Sequence, residues 1–323
     1  QTFKGLPGLI ADSLPDKFGN RLIDQYLARN GLPADTFTPL DRLCYIGTRA
    51  MGGLEFYPLY DKKKEQSSTI DIDEMVELAN EALSEKNSLA TSLDTTSSDQ
   101  NKKDAVENII SIGTSAGGAR AKAVIAYNEQ THEVKTGQTY AGKDFSYWLL
   151  KFDGVTENKD KETLSDPVGF GLLEYVYYEM ARSVDIDMTR CRLLQEGDRS
   201  HFMTERFDRI NGGHKVHMQT LCGLAHYDFN DSGAYSYEQL FMVMRQLNLP
   251  FNDFLQMYKR AIFNVVARNQ DDHTKNFSFL MDQTGKWSLS PAYDITYCNG
   301  SHWTARHQMT INGKTDDFSL ADL

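Results

Sequence analysis

Three oxygen-bearing side chains have the types and the order that phosphoryl transfer requires. They are Asp271 and Asn276 in Asp271-Asp272-His273-Thr274-Lys275-Asn276, and Asp294 in Ser290-Pro291-Ala292-Tyr293-Asp294-Ile295. A carboxylate beside an acceptor hydroxyl serves as a base. Hard oxygens hold Mg²⁺, which keeps several waters and bridges nucleotide phosphates. Asp271 precedes Asn276 by the interval that separates the catalytic-loop Asp of protein kinases from its metal-binding Asn, although Asn269-Gln270 stands where His-Arg would be. Taken alone, the six residues read as a solvated turn. Their flanks point elsewhere: Phe254, Tyr258, Ile262, Val265 and Val266 have helical apolar spacing, and residues 276–280 and 287–289 predict strands joined at Gly285. The polar groups then sit at the mouth of a packed core.

Other elements must bring the nucleotide to these groups. Between predicted strands at 109–112 and 123–127 lies a loop of small residues, Ser115, Ala116, Gly117, Gly118 and Ala119, whose backbone N–H groups can approach phosphate oxygens. It is not a Walker A loop, because Ala119-Arg120 follows Gly118; a plain hairpin turn is the alternative. In residues 145–152 the alternation places Trp148, Leu150 and Phe152 on one strand face and Tyr147, Leu149 and Lys151 on the other. Lys151 on a cleft face would neutralise phosphate. The next predicted helix supplies Glu174, with Glu179 as competitor, for a Lys–Glu pair; a solvated strand lysine is the alternative. Residues 190–195 and 201–207 read as a hairpin turned at Glu196-Gly197-Asp198, and its exit, Thr204-Glu205-Arg206-Phe207-Asp208-Arg209, would run between lobes, where backbone groups meet adenine and a carboxylate meets ribose. Ordinary strand-end charges are the other reading.

The chain has 323 residues, 40% hydrophobic and 24% charged, enough for two lobes with their own cores. No apolar run approaches a membrane-spanning length, and nothing argues for export, so a cytoplasmic setting is expected. Cys44, Cys191, Cys222 and Cys298 are far apart, which suits incidental thiols better than disulfides or zinc. His214, His217 and His226 read as solvated or packed and not as metal ligands. The aromatic run Tyr227, Phe229, Tyr235 and Tyr237 reads as packing more than substrate contact. A net charge of −11 argues against stand-alone nucleic-acid binding. The expected organisation is an amino-terminal subdomain over 1–60, with a helix at 17–30 and a strand at 54–59. A helix at 73–83 and a flexible linker follow over 61–108, then an ATP-binding lobe over 109–208 and a helical catalytic lobe over 209–323. The last residues, 317–323, read as the opening of a helix.

The order of these pieces resembles the HipA family of serine/threonine kinases, toxins of bacterial toxin–antitoxin modules. The resemblance runs through Gly5-Leu6-Pro7-Gly8, Asp12-Ser13-Leu14-Pro15-Asp16, Ile46-Gly47, Gly52-Gly53-Leu54-Glu55-Phe56, the glycine loop, Glu205-Arg206-Phe207-Asp208 and Asp272-His273-Thr274-Lys275-Asn276. It implies an α+β, two-lobed protein-kinase-like fold with a mixed α/β nucleotide lobe and a mainly helical carboxyl-terminal lobe. It also implies ATP and Mg²⁺ as cofactors. Asp271 would be the base, Asn276 and Asp294 the metal ligands, Lys151 the phosphate-binding lysine and Glu174 its partner. Glu205 and Phe207 would sit at the adenine hinge, Asp208 near the ribose, and residues Ser115 to Ala119 over the phosphates. His273 fits the motif without an independent role. Ser115, with Thr114 beside it, matches the loop position that family members autophosphorylate. The implied partners are a HipB-like helix-turn-helix antitoxin, DNA only through that antitoxin, and a protein substrate such as an aminoacyl-tRNA synthetase. Family members carry a further small subdomain before the Gly5-Leu6-Pro7-Gly8 region, which a separate polypeptide supplies in split versions of the module. The alternatives are a small-molecule phosphotransferase of aminoglycoside or lipid type and a non-catalytic ATP-binding partner of a DNA-bound antitoxin.

Overall fold

The computed structural model describes residues 2–29, 31–60, 72, 75–76, 120–155 and 169–323. The expected strand at 109–112, the whole Ser115 to Ala119 loop and most of the expected helix at 73–83 lie outside them. The chain divides into two compact units: Ser13–Gly171 with Arg192–His214, and Gln1–Asp12 with Leu172–Cys191 and Lys215–Leu323.

The first unit is built on a five-stranded sheet of β1 (Lys122–Tyr127), β2 (Val134–Thr136), β3 (Ser146–Lys151), β4 (Cys191–Glu196) and β5 (Arg199–Glu205), in the order β2-β1-β3-β5-β4. β3 is antiparallel to both β1 and β5. The period-2 pattern of β3 holds. Trp148, Leu150 and Phe152 are buried in one core with Val124, Met203 and the inward residues Phe18, Leu22 and Leu27 of the Lys17–Arg29 helix, while Leu149 and Lys151 are half-buried. Each such fully buried large apolar side chain contributes roughly 1.5–3 kcal/mol. A second helix, Pro39–Ile46, starts at a capping box in which the Thr38 hydroxyl accepts from the Asp41 N–H and Asp41 accepts from Thr38. The Thr38 hydroxyl and N–H hold the Asp41 carboxyl below its ordinary value.

Residues 54–59 do not form the expected strand. Pro58 has no N–H to give a ladder, and the segment is held irregularly, with the Phe56 N–H on the Gly47 carbonyl at 3.1 Å.

The second unit pairs two helices, Tyr237–Gln246 and Phe251–Val266, with an antiparallel sheet of Trp287–Leu289, Ser278–Met281 and His217–Thr220 in that order. Leu240, Met244, Met257, Phe277 and Phe279 share its core. The Phe251–Val266 helix is rotated from the expected setting. Tyr258 is 43% and Val266 72% exposed, and the buried positions are Met257, Arg260, Ala261 and Asn264. Two inward positions are polar, so apolar spacing alone misplaces the buried face. The amino-terminal segment docks in this unit: Asp12 accepts from the Thr220 hydroxyl at 2.5 Å and the Thr220 N–H at 2.8 Å. Gly8 lies so close to Gly223 that a Cβ would meet its carbonyl oxygen at 2.1 Å, which only glycine allows. No helix among the described residues is long and apolar enough to cross a membrane.

The first unit also contains a buried ion cluster. Asp208, 1% exposed, accepts from Arg206 Nε and Nη2 at 2.9 and 2.7 Å, from Arg209 Nη1 at 2.9 Å and from the Gly52 N–H at 2.6 Å. Burial pushes its carboxyl up, but Arg206, Arg209 and the Gly52 N–H outweigh burial and hold it at about 2. Its contribution to stability is therefore complete above the unfolded value of about 3.9 and is lost as pH falls through about 2. Asp208→Asn should cost roughly 3–5 kcal/mol in urea unfolding at pH 7, because two buried guanidiniums lose their counter-charge, and the difference from wild type should shrink as the pH falls towards 2.

Candidate active site

The Phe251–Val266 helix ends where Arg268 adopts φ +56°, and the Asn269 N–H returns to the Asn264 carbonyl at 2.9 Å. The chain then turns through Asp271 and Asp272 into a 3₁₀ turn, Thr274–Asn276, that feeds strand Ser278–Met281. The two adjacent aspartates differ sharply. Asp272 is 1% exposed and accepts from the Tyr237 hydroxyl at 2.8 Å and the Gln308 N–H at 2.8 Å, with His307 Nδ1 at 2.9 Å. The side chain of Asp271 is 29% exposed, and its Oδ1 accepts from the Trp303 indole N–H at 2.7 Å. His273 Nε2 is 3.9 Å from the same oxygen, and its ring packs on Phe229.

Asn276 and Asp294 come together. Both line one shallow recess, along with Arg260, Asn264, Asn269 and Asp272. Asn276 Nδ2 donates to the Asp271 carbonyl at 2.7 Å, which orients the amide oxygen as an acceptor and ties the residue to the loop. Asp294 has φ +54°, a left-handed conformation that short polar side chains tolerate and that tends to mark functional sites. Arg260 is buried below them, donating to the Ser290 and Asp187 carbonyls at 2.8 and 3.2 Å; burial lowers it to about 10, so it remains a cation at neutral pH. A carboxylate and an amide oxygen on one recess suit Mg²⁺, which takes one or two protein oxygens and fills the rest of its octahedron with water and phosphate.

The remaining expected residues lie on other elements. Lys151 ends β3, opposite Lys122 and Phe202, its ammonium 5.8 Å from the Phe202 ring. Just beyond it the Asp153 N–H donates to Nδ1 of buried His201 at 2.9 Å, which leaves the imidazole proton on Nε2, 2.8 Å from Glu196. Asp153 Oδ1 accepts from the Gly169 N–H at 2.9 Å, at the start of the Phe170–Ser183 helix that carries buried Glu174. Glu205 pairs with Trp148, and the Arg206 N–H bonds the Tyr147 carbonyl at 2.8 Å, so Lys151 and the Glu205–Phe207 segment belong to one sheet system, with roughly 10 Å of β3 between Lys151 and Trp148. Glu205 and Phe207 are half-buried. Asp208, expected near the ribose, is buried, and its carboxylate accepts from Arg206, Arg209 and the Gly52 N–H. Glu179 is exposed on the same helix and beside Tyr175.

Sequence patterns did not single out Trp303, His307, Gln308, Arg260 or Asn264. Spacing carries no signal for residues that reach the loop from elsewhere in the chain, and Arg260 and Asn264 lie on a helix face that the apolar pattern did not mark as inward. His226 stacks on Phe3 at 3.6 Å and His217 meets Trp287 edge-on, which accounts for those rings by packing.

Residues 114–322 match the model of the HipA-like C-terminal domain and residues 1–57 that of the HipA N-terminal domain. A curated relative from Sinorhizobium fredii (strain NBRC 101917 / NGR234), named "Putative kinase Y4mE", is 26% identical over 156 residues, 46% of this chain and 33% of that protein, so the match spans a third of the relative's length. Among solved structures, a chain of the Shewanella oneidensis MR-1 toxin–antitoxin complex of HipA, HipB and operator DNA aligns with a TM-score of 0.67 at 17% identity, covering 95% of this chain and 68% of that one. That likeness establishes a shared fold, α+β and kinase-like. With family models accounting for both its amino-terminal segment and more than half its length, the chain belongs to the HipA family.

Proposed function

We propose that this chain is an ATP- and Mg²⁺-dependent kinase that phosphorylates a serine or threonine hydroxyl on a protein, acting as the toxin of a bacterial toxin–antitoxin module in the cytoplasm. The observation that carries this reading is the pairing of Asn276 and Asp294 on one recess, with Asn276 bonded to the backbone of Asp271. Asp271 accepts the proton of the acceptor hydroxyl as its oxygen attacks the γ-phosphorus and ADP leaves. Asn276 and Asp294 would hold Mg²⁺, which when bound neutralises the phosphate oxygens. Lys151 binds phosphate with Glu174 as its partner, Glu205 and Phe207 flank the adenine, and Ser115, Ala116, Gly117, Gly118 and Ala119 cover the phosphates. His273 packs beside Asp271 as part of the same loop.

The solved Shewanella complex contains HipA and HipB, which supports a HipB-like helix-turn-helix antitoxin as partner. With a net charge of −11 the chain meets DNA only through that partner. A separate small subdomain protein is a second partner in this scheme, and the substrate class is translation-linked, with an aminoacyl-tRNA synthetase as the first candidate. Phosphorylation of Ser115 adds nearly two negative charges to a loop that holds phosphate, repelling nucleotide and switching activity off.

Transfer of label from ATP to proteins of a bacterial lysate should be lost in Asp271→Asn while nucleotide binding persists, and Asp294→Ala should lose the Mg²⁺ dependence of that binding. Transfer to metabolites with all proteins unlabelled would favour the small-molecule phosphotransferase, and undiminished toxicity of Asp271→Ala in cells would favour a non-catalytic binding protein. By mass spectrometry Ser115 should carry phosphate in active protein and none in Asp271→Asn; phosphate at Ser115 in both excludes self-modification.

A further inference from the structure

The segment after Asp294 returns to the catalytic loop and is fastened there. Gln308 Nε2 donates to the Trp303 carbonyl at 2.6 Å and the Arg306 carbonyl at 2.9 Å, closing the segment on itself, and reaches the Gln270 carbonyl at 3.3 Å. The Gln308 N–H and the His307 ring hold buried Asp272, Met309–Thr310 pairs with Tyr235–Ser236, and Thr304 is buried, with its carbonyl accepting from Gly300 at 3.1 Å. Trp303 projects from this braced turn, and its indole N–H meets Asp271 Oδ1 at 2.7 Å.

We propose that Trp303 is a positioning residue for phosphoryl transfer: its indole N–H fixes the rotation of the Asp271 carboxylate so that the group faces the acceptor hydroxyl. The inference rests on Asp271 being the base. Indole is suited to the task because it only donates. It stabilises the carboxylate before reaction, keeps its own proton throughout, and cannot compete for the proton that passes from the acceptor hydroxyl to Asp271 while the new O–P bond forms and ADP departs. The Trp303 bond narrows the rotations open to a carboxylate that is 29% exposed, so productive alignment is populated more of the time.

Trp303→Phe removes the N–H and keeps an aromatic ring. Rates would be measured with labelled ATP and lysate protein as acceptor, alongside ¹H–¹⁵N spectra of protein labelled at its tryptophans, Trp148, Trp287 and Trp303. The expected result is a fall in apparent kcat of roughly 10- to 100-fold with KM for ATP changed less than about twofold. The indole resonance missing from Trp303→Phe, or from Trp303→Tyr should the first variant not fold, should shift in Asp271→Ala while the other two stay in place, a readout that does not depend on turnover. Wild-type kcat in a folded Trp303→Phe, or an indole resonance indifferent to Asp271→Ala, overturns the proposal alone. Wild-type protein that transfers no phosphate overturns the kinase reading, and this role with it.

Discussion

A buried carboxylate has to be given its hydrogen bonds, and in this protein that demand falls on Asp272. An ionised carboxylate left bare in a protein interior costs many kcal/mol, so its donors are not optional. They come from two places far apart in the chain: the Tyr237 hydroxyl at the start of one helix, and His307 with the Gln308 N–H just before the Met309–Thr310 strand. Burial and the Asp272 charge push the Tyr237 hydroxyl well above its ordinary value, so it remains a donor at any physiological pH. Asn264 Nδ2 donates to the same hydroxyl at 3.0 Å, and Asn269 Nδ2 to Asn264 at 2.9 Å, which carries the network back to the start of the loop. The loop is thereby fixed on the inside by one aspartate and presents the next one outward. A buried carboxylate next to a partly exposed one anchors the loop through the first and leaves the second at the surface.

Part of this was legible in the sequence. The Asp271-to-Asn276 interval marked a loop that the structure forms as a 3₁₀ turn, and Asp294, picked out by its own short motif, lines the same recess as Asn276. The faces of β3 were legible from its alternation, with Trp148 and Leu150 in one core and Tyr147 in a separate cluster, and the hairpin of β4 and β5 from the Glu196-Gly197-Asp198 turn between two strand-like runs. The rotation of the Phe251–Val266 helix was not, since Arg260 and Asn264 turn inward where an apolar pattern expects Tyr258 and Val266. Nor was the absence of a strand at 54–59, where β-forming residues flank a proline. Trp303 and His307 were invisible for a different reason: their partners lie more than thirty positions away, and nothing local marks a residue whose work is done across such a gap.

Several short motifs that first appear unrelated turn out to be the two halves of one contact. Gly52 and Ala50 meet Asp208 and Arg209 in a buried cluster, and Asp12 meets Thr220 beside a Gly8–Gly223 contact too close for any side chain. Asp208 shows how a charged residue in a family motif can be structural: its oxygens are spent on two guanidiniums and a backbone N–H. Its neighbours Glu205 and Phe207 keep half-exposed side chains at the end of β5, and these remain the candidates for nucleotide contact.

The central claim is that Asn276 and Asp294 hold one divalent ion on a nucleotide beside Asp271. Anomalous diffraction from crystals grown with Mn²⁺ and a non-hydrolysable ATP analogue tests it directly. The account predicts a manganese peak bonded to Asn276 Oδ1 and the Asp294 carboxylate, with the γ-phosphate facing Asp271. A nucleotide-bound manganese that touches neither residue would contradict it.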